Sequence, residues 1–244
     1  DGLYEPNEGD YPEFKGTQAV YSIQHTELDP FVSLDVPAFP FDMHVTQYAF
    51  ESDDAAIKNT VFVNYRIVNR SDQEFDSLMF GQFADFDIGC PDDDLAGCDS
   101  TRSLFFGYNG ADSDLGCQGI LGFQGVQPAQ GVRFLNGLMR SHRMANRASP
   151  AEQQSLLDVL SGTVQGQPFT EPGYPTHYQY PGGSWMDGPL SPAQPDRKSV
   201  GAIGPFTLAP GDTFFFAGLS LQVERMVTTD LFVRATTRSA RVPS

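Results

Sequence analysis

The fold class of this chain follows from the segment Thr60-Val61-Phe62-Val63-Asn64-Tyr65-Arg66-Ile67-Val68-Asn69. β-Branched and aromatic residues dominate this segment, and these residue types are enriched in strands because they pack well on a pleated surface. A turn at residues 69–72 separates it from the apolar segment 75–83, which we expect to be its partner strand. This hairpin would deliver Asp85 and Asp87 to the end of a sheet, where loops carry sites on a rigid frame.

The rest of the chain shows further strand patterns. Strands are predicted at residues 18–24, 43–50, 103–108, 132–135 and 213–223, and a strand with a turn at 204–212. The strand at 213–223 is expected to be central because it is strongly apolar. One helix is predicted at residues 150–161, where Ser149 is the cap and Pro150 lies in the first turn. Residues 228–238 are expected to form a closing helix or an edge strand, with the helix preferred.

These patterns predict a mainly β fold, with sandwich-like antiparallel sheets, long loops and one or two short helices. The chain has 244 residues with 20 Phe and 9 Tyr, so it can bury a substantial core, and sandwiches of this size often form one domain. We expect a single β-rich domain over residues 1–244. Within it, residues 1–16 are a lead-in loop, 85–117 an acidic loop region and 166–197 an aromatic loop.

The charge of the chain argues against some partners. The formal net charge is −16 and the pI is near 4.4, which makes contact with nucleic-acid phosphates or an anionic membrane unfavourable. No apolar run is long enough for a membrane span, so membrane insertion is not expected. The chain begins at Asp1 without an apolar signal core, and we expect either a removed signal peptide or a piece of a longer protein.

The acidic region holds eight aspartates between Asp85 and Asp114, with only Arg102 near them. A cation would relieve their mutual repulsion, and hard oxygen ligands on glycine-rich loops suit Ca²⁺. The candidate ligands are Asp85, Asp87, Asp93, Asp94, Asp99, Asn109, Asp112 and Asp114. The spacing after Asp85 resembles an EF-hand, but Ala96 stands where that loop needs a bidentate Glu. The alternative is a solvated acidic loop without a metal ion.

The three cysteines, Cys90, Cys98 and Cys117, lie in or beside this region. One pair could form a disulfide, which fits an oxidising compartment, and would leave one thiol over. A soft-metal site is disfavoured because the chain has no Cys-x-x-Cys and its histidines are scattered.

The aromatic loop offers a second candidate site. Tyr178, Tyr180 and Trp185 lie in it beside polar residues, and such rings can stack on sugars, although aromatic side chains in long loops also pin the loop to a sheet. The common nucleophile, zinc-protease and nucleotide-binding motifs are missing. Two of the aspartates could still act as the carboxylate pair of a glycosidase, so an enzyme stays an alternative to the preferred non-catalytic protein.

A set of short sequence pieces, spread over most of the chain, forms a specific pattern. The pieces are Asp1-Gly2-Leu3-Tyr4-Glu5-Pro6, Gly9-Asp10-Tyr11-Pro12, His25-Thr26, Asn59-Thr60-Val61-Phe62, Tyr65-Arg66-Ile67-Val68-Asn69-Arg70-Ser71, Gly81-Gln82-Phe83, Asp85-Phe86-Asp87-Ile88-Gly89, Asp93-Asp94, Gly97-Cys98-Asp99, Gly107-Tyr108-Asn109-Gly110, Trp185-Met186-Asp187-Gly188, Asp196-Arg197-Lys198 and Gly204-Pro205-Phe206-Thr207-Leu208. With them the chain resembles an uncharacterised segment of large secreted surface proteins of bacteria that use type IX secretion.

This resemblance implies a secreted or cell-surface β-rich module and no particular reaction. Such proteins usually end in a C-terminal sorting domain, and the sequence up to Ser244 does not contain one. We therefore expect a trimmed fragment or a processed form. Cys98 belongs to the pattern, whereas Cys90 and Cys117 are additions to it, and on this basis we expect a Cys90–Cys117 disulfide.

The leading functional expectation is a non-catalytic module in adhesion or surface assembly, with calcium-ordered loops and with other surface proteins or glycans as partners. The alternatives are a carbohydrate-binding module and, further, a polysaccharide-degrading enzyme.

Overall fold

A computed structural model describes residues 15–25, 40–117, 119, 121–146, 163–164, 167–168, 185–186 and 197–223. Within this part the protein is mainly β and has almost no helix, as predicted. The helix predicted at 150–161, the closing element at 228–238 and the side chains of Tyr178, Tyr180 and Trp185 lie outside the described residues, as does most of the lead-in loop.

Thirteen strands are described. They are β1 (Gln18–His25), β2 (Phe41–Ala49), β3 (Thr60–Asn69), β4 (Phe75–Asp85), β5 (Asp94–Asp99), β6 (Leu104–Asn109), β7 (Ala129–Phe134), β8 (Met139–Asn146), β9 (Thr163–Val164), β10 (Gln167–Pro168), β11 (Trp185–Met186), β12 (Arg197–Leu208) and β13 (Thr213–Val223). One short helix, α1 (Ala55–Lys58), begins at the cap Asp54, and a 3-10 turn covers Ser100–Arg102. None of the helices in the described part is long and apolar enough to cross a membrane.

Eight strands form the larger sheet, in the order β1-β2-β3-β13-β7-β6-β5-β11. All of its neighbouring pairs are antiparallel. The segment that decided the fold class is β3, with the predicted bounds. Strand β13 lies between β3 and β7, so the prediction of a central strand at 213–223 is confirmed.

The predicted hairpin of residues 60–69 and 75–83 is wrong, because β4 belongs to a second, three-stranded sheet in the order β4-β12-β8. The Asn69 side chain directs this change of sheet: its Nδ2 donates to the carbonyl oxygens of Gln73, Leu208 and Ala209 at 2.7–3.2 Å. Strand β4 therefore faces β3 across the interior of the sandwich and does not pair with it edge to edge.

The main core lies between the two sheets. Phe105, Phe134 and Phe216 of the larger sheet pack with Met139 and Ile203 of the smaller one, and all are nearly or fully buried. Aromatic rings stack across the interface, since the ring centroids of Phe80 and Phe216 are 4.9 Å apart. Burial of these large side chains supplies the main favourable free energy of folding.

Strand β6 is buried on both faces. Phe105 points into the main core, whereas its neighbours Leu104, Phe106 and Tyr108 form a second cluster with Ala129 and Leu219 on the opposite face of the sheet. Successive side chains of a strand point to opposite faces, so this unbroken apolar run belongs to a strand covered on both sides.

The acidic loop region at 85–117 contains two strands: the one predicted at 103–108 is β6, and a second one was not predicted. Residues Asp94–Asp99 form strand β5, which pairs with β6 along its whole length. Ala96 and Cys98 on this strand are fully buried, so pairing and burial outweigh the weak strand propensity of its Asp and Gly residues.

Candidate cation site

The candidate site lies at the end of a column of side chains on the inner face of β5 and β6. The strand register pairs Cys98 with Phe105 and Asp94 with Asn109. Because strand side chains alternate between faces, both pairs point to the same face of the sheet. The column therefore begins in the apolar core and ends in a carboxylate and an amide.

The segment that follows β4 closes over this column. Phe86 and Ile88 belong to the main core, and the Phe86 ring centroid lies 6.0 Å from that of Phe105. The backbone N–H of Ile88 donates to Asp94 Oδ2 at 2.8 Å. This segment removes the polar end of the column from solvent and leaves only 3% of Asp94 exposed.

Three buried side-chain oxygens at this end have no hydrogen-bond partner: Asp93 Oδ1, Asp94 Oδ1 and Asn109 Oδ1. Asn109 is fully buried, and its Nδ2 donates to the Ala111 carbonyl oxygen at 2.7 Å, which fixes the orientation of the amide. Buried polar atoms in folded proteins nearly always have a partner. Three acceptors without one indicate that a positively charged or donating group belongs here.

Asp93 is held beside this pair by the backbone. Its carbonyl oxygen accepts from the N–H of Gly110 at 3.0 Å, and its own N–H donates to the Cys90 carbonyl oxygen at 3.4 Å. Because Gly110 directly follows Asn109, the bond from the Gly110 N–H extends the β5–β6 ladder by one residue on each strand and makes Gly110 the partner of Asp93. Asp93 and Asn109 are therefore neighbours in the fold although 16 positions separate them in the sequence.

The electrostatics of the site disfavour further negative charge. Burial is the main cause that raises the pKa of Asp94 to about 8, against the opposing hydrogen bond from Ile88. The negative charges of Asp93, Asp114 and Asp87 raise this pKa further. Burial, followed by the charge of Asp114, also raises the pKa of Asp93 above its ordinary value. The site attracts a proton or a metal cation.

Asp114 lies next to the site and is fully buried. Its Oδ1 accepts from the backbone N–H groups of Gly116 at 3.0 Å and Cys90 at 3.4 Å, and its Oδ2 accepts from Phe123 N–H at 3.0 Å. The carboxylate thus holds the segment around Cys90 to two described residues of the segment 114–123, Gly116 and Phe123. These three hydrogen bonds come from backbone N–H groups, which is typical of a carboxylate that anchors loops.

Two glycines enclose the Asp114 carboxylate. A Cβ on Gly89 would lie 1.6 Å from Asp114 Oδ2, and Gly89 also has a positive φ of 62°. A Cβ on Gly122 would lie 2.4 Å from Asp114 Oδ1. The two close approaches explain why glycine occupies both positions. Gly89 is the last residue of the piece Asp85-Phe86-Asp87-Ile88-Gly89, and no pattern in the sequence predicted a role for Gly122.

Cys90 and Cys117 are joined by a disulfide, the pair that the resemblance implied. Cys98 is buried in the main core and lies outside this bond. In the sequence, Asp93, Asp94 and Asn109 lie between the two cysteines of the disulfide. It joins the same two segments that the Asp114 carboxylate holds together.

The remaining candidate ligands are exposed or have other partners. Asp85 is exposed and pairs with Lys198 at 2.9 Å, and Asp87 and Asp112 are exposed. Asp99 caps the 3-10 turn and binds Arg102 on the other end of β5. The structure thus separates a central set of Asp93, Asp94 and Asn109 from carboxylates with other roles.

The central set is not a cluster of three carboxylates. Among the residues that the structure describes, the group of three acid, histidine or cysteine ligand atoms that lie within 4.8 Å of one another is Cys90, Asp92 and Cys117, and its two sulfurs form the disulfide. A cation at the central set would therefore combine two carboxylates with an amide oxygen and water.

The aromatic candidates are only partly described. The backbone of β11 pairs Trp185 with Cys98 and Met186 with Gly97, so this piece of the aromatic loop adds a strand beside β5. Tyr178 and Tyr180 lie outside the described residues.

The chain matches no protein-family model and no curated protein.

Proposed function

We propose that the protein is a non-catalytic secreted or cell-surface module that binds Ca²⁺ at Asp93, Asp94 and Asn109 and acts in adhesion or surface assembly. The observation that carries the proposal is the set of three buried oxygens without hydrogen-bond partners. Other surface proteins or glycans are the proposed partners.

A metal cation satisfies the three oxygens better than a proton does. A proton on Asp94 Oδ1 would give the site one donor, which can reach one acceptor and leaves another without a partner. A cation can bind more than one of these oxygens and offsets the charges of Asp93 and Asp94. The burial that raises the pKa of Asp94 also reduces the screening of a bound ion by water.

Ca²⁺ suits this donor set because it accepts six to eight oxygens, including amide and carboxylate oxygens and water, in a flexible geometry. Mg²⁺ demands a near-ideal octahedron and gives up its water reluctantly. Two carboxylates and one amide would supply half or fewer of the Ca²⁺ ligands, and water would complete the shell.

The proposed location rests on the disulfide and on the charge of the chain. Disulfides persist in oxidising environments such as the cell exterior, and Cys90–Cys117 lies directly beside the site. The net charge of −16 disfavours nucleic acid as a partner. A loop region ordered by Ca²⁺ at the end of a rigid sandwich is a suitable surface for a partner.

Carbohydrate binding is the second candidate. It is favoured by the pairing of β11 with β5, which joins Trp185 to the strand that begins at Asp94. Binding to a glycan array that is lost in Trp185→Ala and unchanged in Phe83→Ala, an exposed aromatic residue of β4, would support it.

The proposal is tested by Ca²⁺ titration of the metal-free, oxidised protein with calorimetry and thermal melting. At 100 times Kd a ligand of the folded state adds about 2.7 kcal/mol, which is on the order of 5–10 °C in Tm for a chain of this size. Asp94→Asn should abolish the shift, and Asp112→Asn, an exposed aspartate of the same region, should keep it.

A Tm shift below about 1 °C at millimolar Ca²⁺ would contradict the cation site. An equal shift with Mg²⁺ would contradict the choice of metal. Release of sugars from a polysaccharide panel by the wild-type protein would contradict the non-catalytic part of the proposal.

A further inference from the structure

We propose that strand β1 is a docking edge for a second copy of this chain, so that two copies join their larger sheets through an antiparallel pair of β1 strands. This contact does not involve the cation site, so it goes beyond the proposed function. A second copy of the chain would be one partner in the surface assembly proposed above.

Strand β1 (Gln18–His25) lies at one edge of the larger sheet. Among the residues that the structure describes, it pairs with β2 alone, over eight consecutive residues without a register shift. Gln18 and residues 20–24 are exposed. On the side away from β2, every second residue of such a strand directs its N–H and C=O groups outward, where another strand can pair with them.

Both faces of β1 have exposed apolar side chains. The register of β1, β2 and β3 places Ser22 on the same face as Tyr65, which packs against the main core. Val20 shares this face and is nevertheless 67% exposed, so the smaller sheet does not cover β1. Tyr21 and Ile23 lie on the outer face and are 49% and 56% exposed. A strand paired at this edge would remove apolar surface from water on both faces.

The edges of the smaller sheet differ from β1 in charge and regularity. Strand β4 contains Asp76 and Asp85, and β8 contains Arg140 and Arg143. Register shifts interrupt the pairing of each strand with β12. Charged side chains and irregular pairing keep sheet edges from joining other strands. Strand β1 has no Asp, Glu, Lys or Arg and no register shift.

The charge of the chain favours a second copy over a charged partner. Each copy has a net charge of −16, so two copies approach most favourably where their surfaces are uncharged. Strand β1 is uncharged, and Asp42 on the neighbouring β2 is neutralised by an ion pair with Arg70. A basic or acidic strand would find no opposite charge on β1. An uncharged strand with exposed apolar residues fits this edge, and β1 itself is such a strand.

A two-fold axis perpendicular to the sheet makes the pair of β1 strands self-complementary. Such an axis keeps the outer faces of both copies on the same side, so residues of the same face lie opposite each other. With the axis at Ser22, Tyr21 of each copy lies opposite Ile23 of the other. Val20 then lies opposite Gln24. Exposed aromatic and β-branched side chains thus meet in two equivalent pairs, which are favourable cross-strand neighbours.

The first experiment measures the molar mass of the protein by sedimentation from about 10 µM to about 1 mM. EDTA is present, so that Ca²⁺ cannot bridge the acidic surfaces of two copies. One strand edge buries less area than a permanent dimer needs, and we expect a dimer with a Kd on the order of 100 µM. A monomer at every concentration would overturn the proposal and leave the cation site intact. Absence of Ca²⁺ binding by a protein that forms this dimer would remove the cation site and leave the proposal intact.

The edge is tested by Ile23→Lys, with Phe215→Lys as the matched control. Phe215 is 63% exposed and in register with Ile23 on the outer face, but it lies on the central strand β13. A charge at the edge should raise the dimer Kd at least about tenfold, and the control should stay within about twofold of the wild type. An unchanged Kd in Ile23→Lys, or equal losses in both variants, would overturn the edge contact.

The register of the two strands is tested by Tyr21→Glu and by Tyr21→Glu/Ile23→Lys. The single variant adds negative charge to the edge of both copies, so its Kd should rise at least about tenfold. In the double variant each new carboxylate lies opposite a new ammonium group, and Kd should return to within about threefold of the wild type at low salt and rise again at high salt. A double variant that associates no better than the single one would overturn the pairing of β1 with itself at Ser22.

Hydrogen exchange of the wild-type protein tests the same contact without a substitution. A second strand at the edge protects the outward N–H groups of β1, so exchange in residues 18–25 should slow at least about threefold between about 10 µM and about 1 mM protein. Unchanged exchange in β1 at a concentration where sedimentation shows a dimer would overturn the proposal.

Discussion

Two carboxylates on the same six-residue strand have opposite surroundings. Asp94 and Asp99 stand at the two ends of β5 and are both buried, with 3% and 0% of their surface exposed. Asp99 accepts from Thr101 and Arg102 and faces the Arg102 guanidinium, whereas Asp94 has one oxygen without a partner. Burial of a carboxylate alone therefore does not indicate a cation site. What distinguishes Asp94 from Asp99 is whether hydrogen-bond donors or a positive charge contact the carboxylate.

The pKa values of the two carboxyls move in opposite directions. Burial would raise the pKa of Asp99, but hydrogen bonds from Thr101 and Arg102 and the charge of Arg102 outweigh it and hold this pKa below its ordinary value. At Asp94 burial acts with neighbouring negative charges and raises the pKa to about 8. Asp99 is a structural cap, and Asp94 has the electrostatics of a cation ligand.

The largest effect is expected from disturbing the backbone that supports the Asp94 end. Gly89→Ala would place a Cβ 1.6 Å from the buried Asp114 carboxylate at a positive φ, and we expect a loss of about 3 kcal/mol in the free energy of unfolding. Gly119→Ala is the matched control, because φ is also positive there and no atom lies within 4 Å; it should lose about 1 kcal/mol. Equal losses in urea denaturation would contradict the close packing.

The next largest effect on the free energy of unfolding is expected to differ between Asp99 and Asp94. Asp99→Ala removes the cap of the 3-10 turn and leaves the partly buried Arg102 without its carboxylate, so we expect a loss of about 2 kcal/mol in denaturant unfolding with EDTA present. Asp94→Asn under the same conditions should be neutral or stabilising, since the amide also offers a donor and cannot acquire a buried negative charge. A larger loss in Asp94→Asn than in Asp99→Ala would contradict the comparison.

In the metal-free protein, Asp94 and Asp99 should change the free energy of unfolding in opposite directions as the pH rises. Because the folded pKa of Asp94 is raised from 3.8 to about 8, this group favours the folded state fully below pH 4 and loses that contribution as the pH rises towards 8. Because the folded pKa of Asp99 is lowered, its contribution is present above pH 4 and is lost as the pH falls below that value.

Asp94→Asn should therefore flatten the decline in the free energy of unfolding between pH 4 and 8, by at most about 1.4 kcal/mol per pH unit. Parallel pH profiles of the wild type and this variant in EDTA would contradict the raised pKa.

The smallest effect is expected at an exposed carboxylate. Lys198→Ala breaks the 2.9 Å ion pair with Asp85, both of whose side chains are partly exposed. Such pairs contribute about 0.2–1 kcal/mol, and 1 M salt should remove the difference between variant and wild type. A loss above about 2 kcal/mol would mean that Asp85 belongs with the structural carboxylates.

Local patterns were enough to predict most of the strands, because alternation and β-branched residues act over a few positions. Strand β3 has the predicted bounds, and β13 is central, as its apolar run indicated. The pairing of β4 with β12 was missed because it joins residues more than a hundred positions apart. Strand β5 was missed because its Asp and Gly residues are poor strand formers, and only pairing with β6 makes it a strand.

The site could be predicted as a region but not as a ligand set. The sequence names eight candidate ligands. Arg102, three positions after Asp99, is a local signal that this carboxylate has a partner, but nothing near Asp94 in the sequence indicates that one of its oxygens lacks a partner. That difference arises when segment 86–90 folds over β5, which no pattern near Asp94 signals.

The most direct test of the account is a crystal structure of the oxidised protein grown with Ca²⁺ and compared with one grown in EDTA. The account predicts a metal peak about 2.3–2.6 Å from Asp94 Oδ1 and Asn109 Oδ1, present only with Ca²⁺. A direct contact between these two oxygens of about 2.5–2.7 Å in both crystals would show a proton in place of the metal ion and would contradict the account.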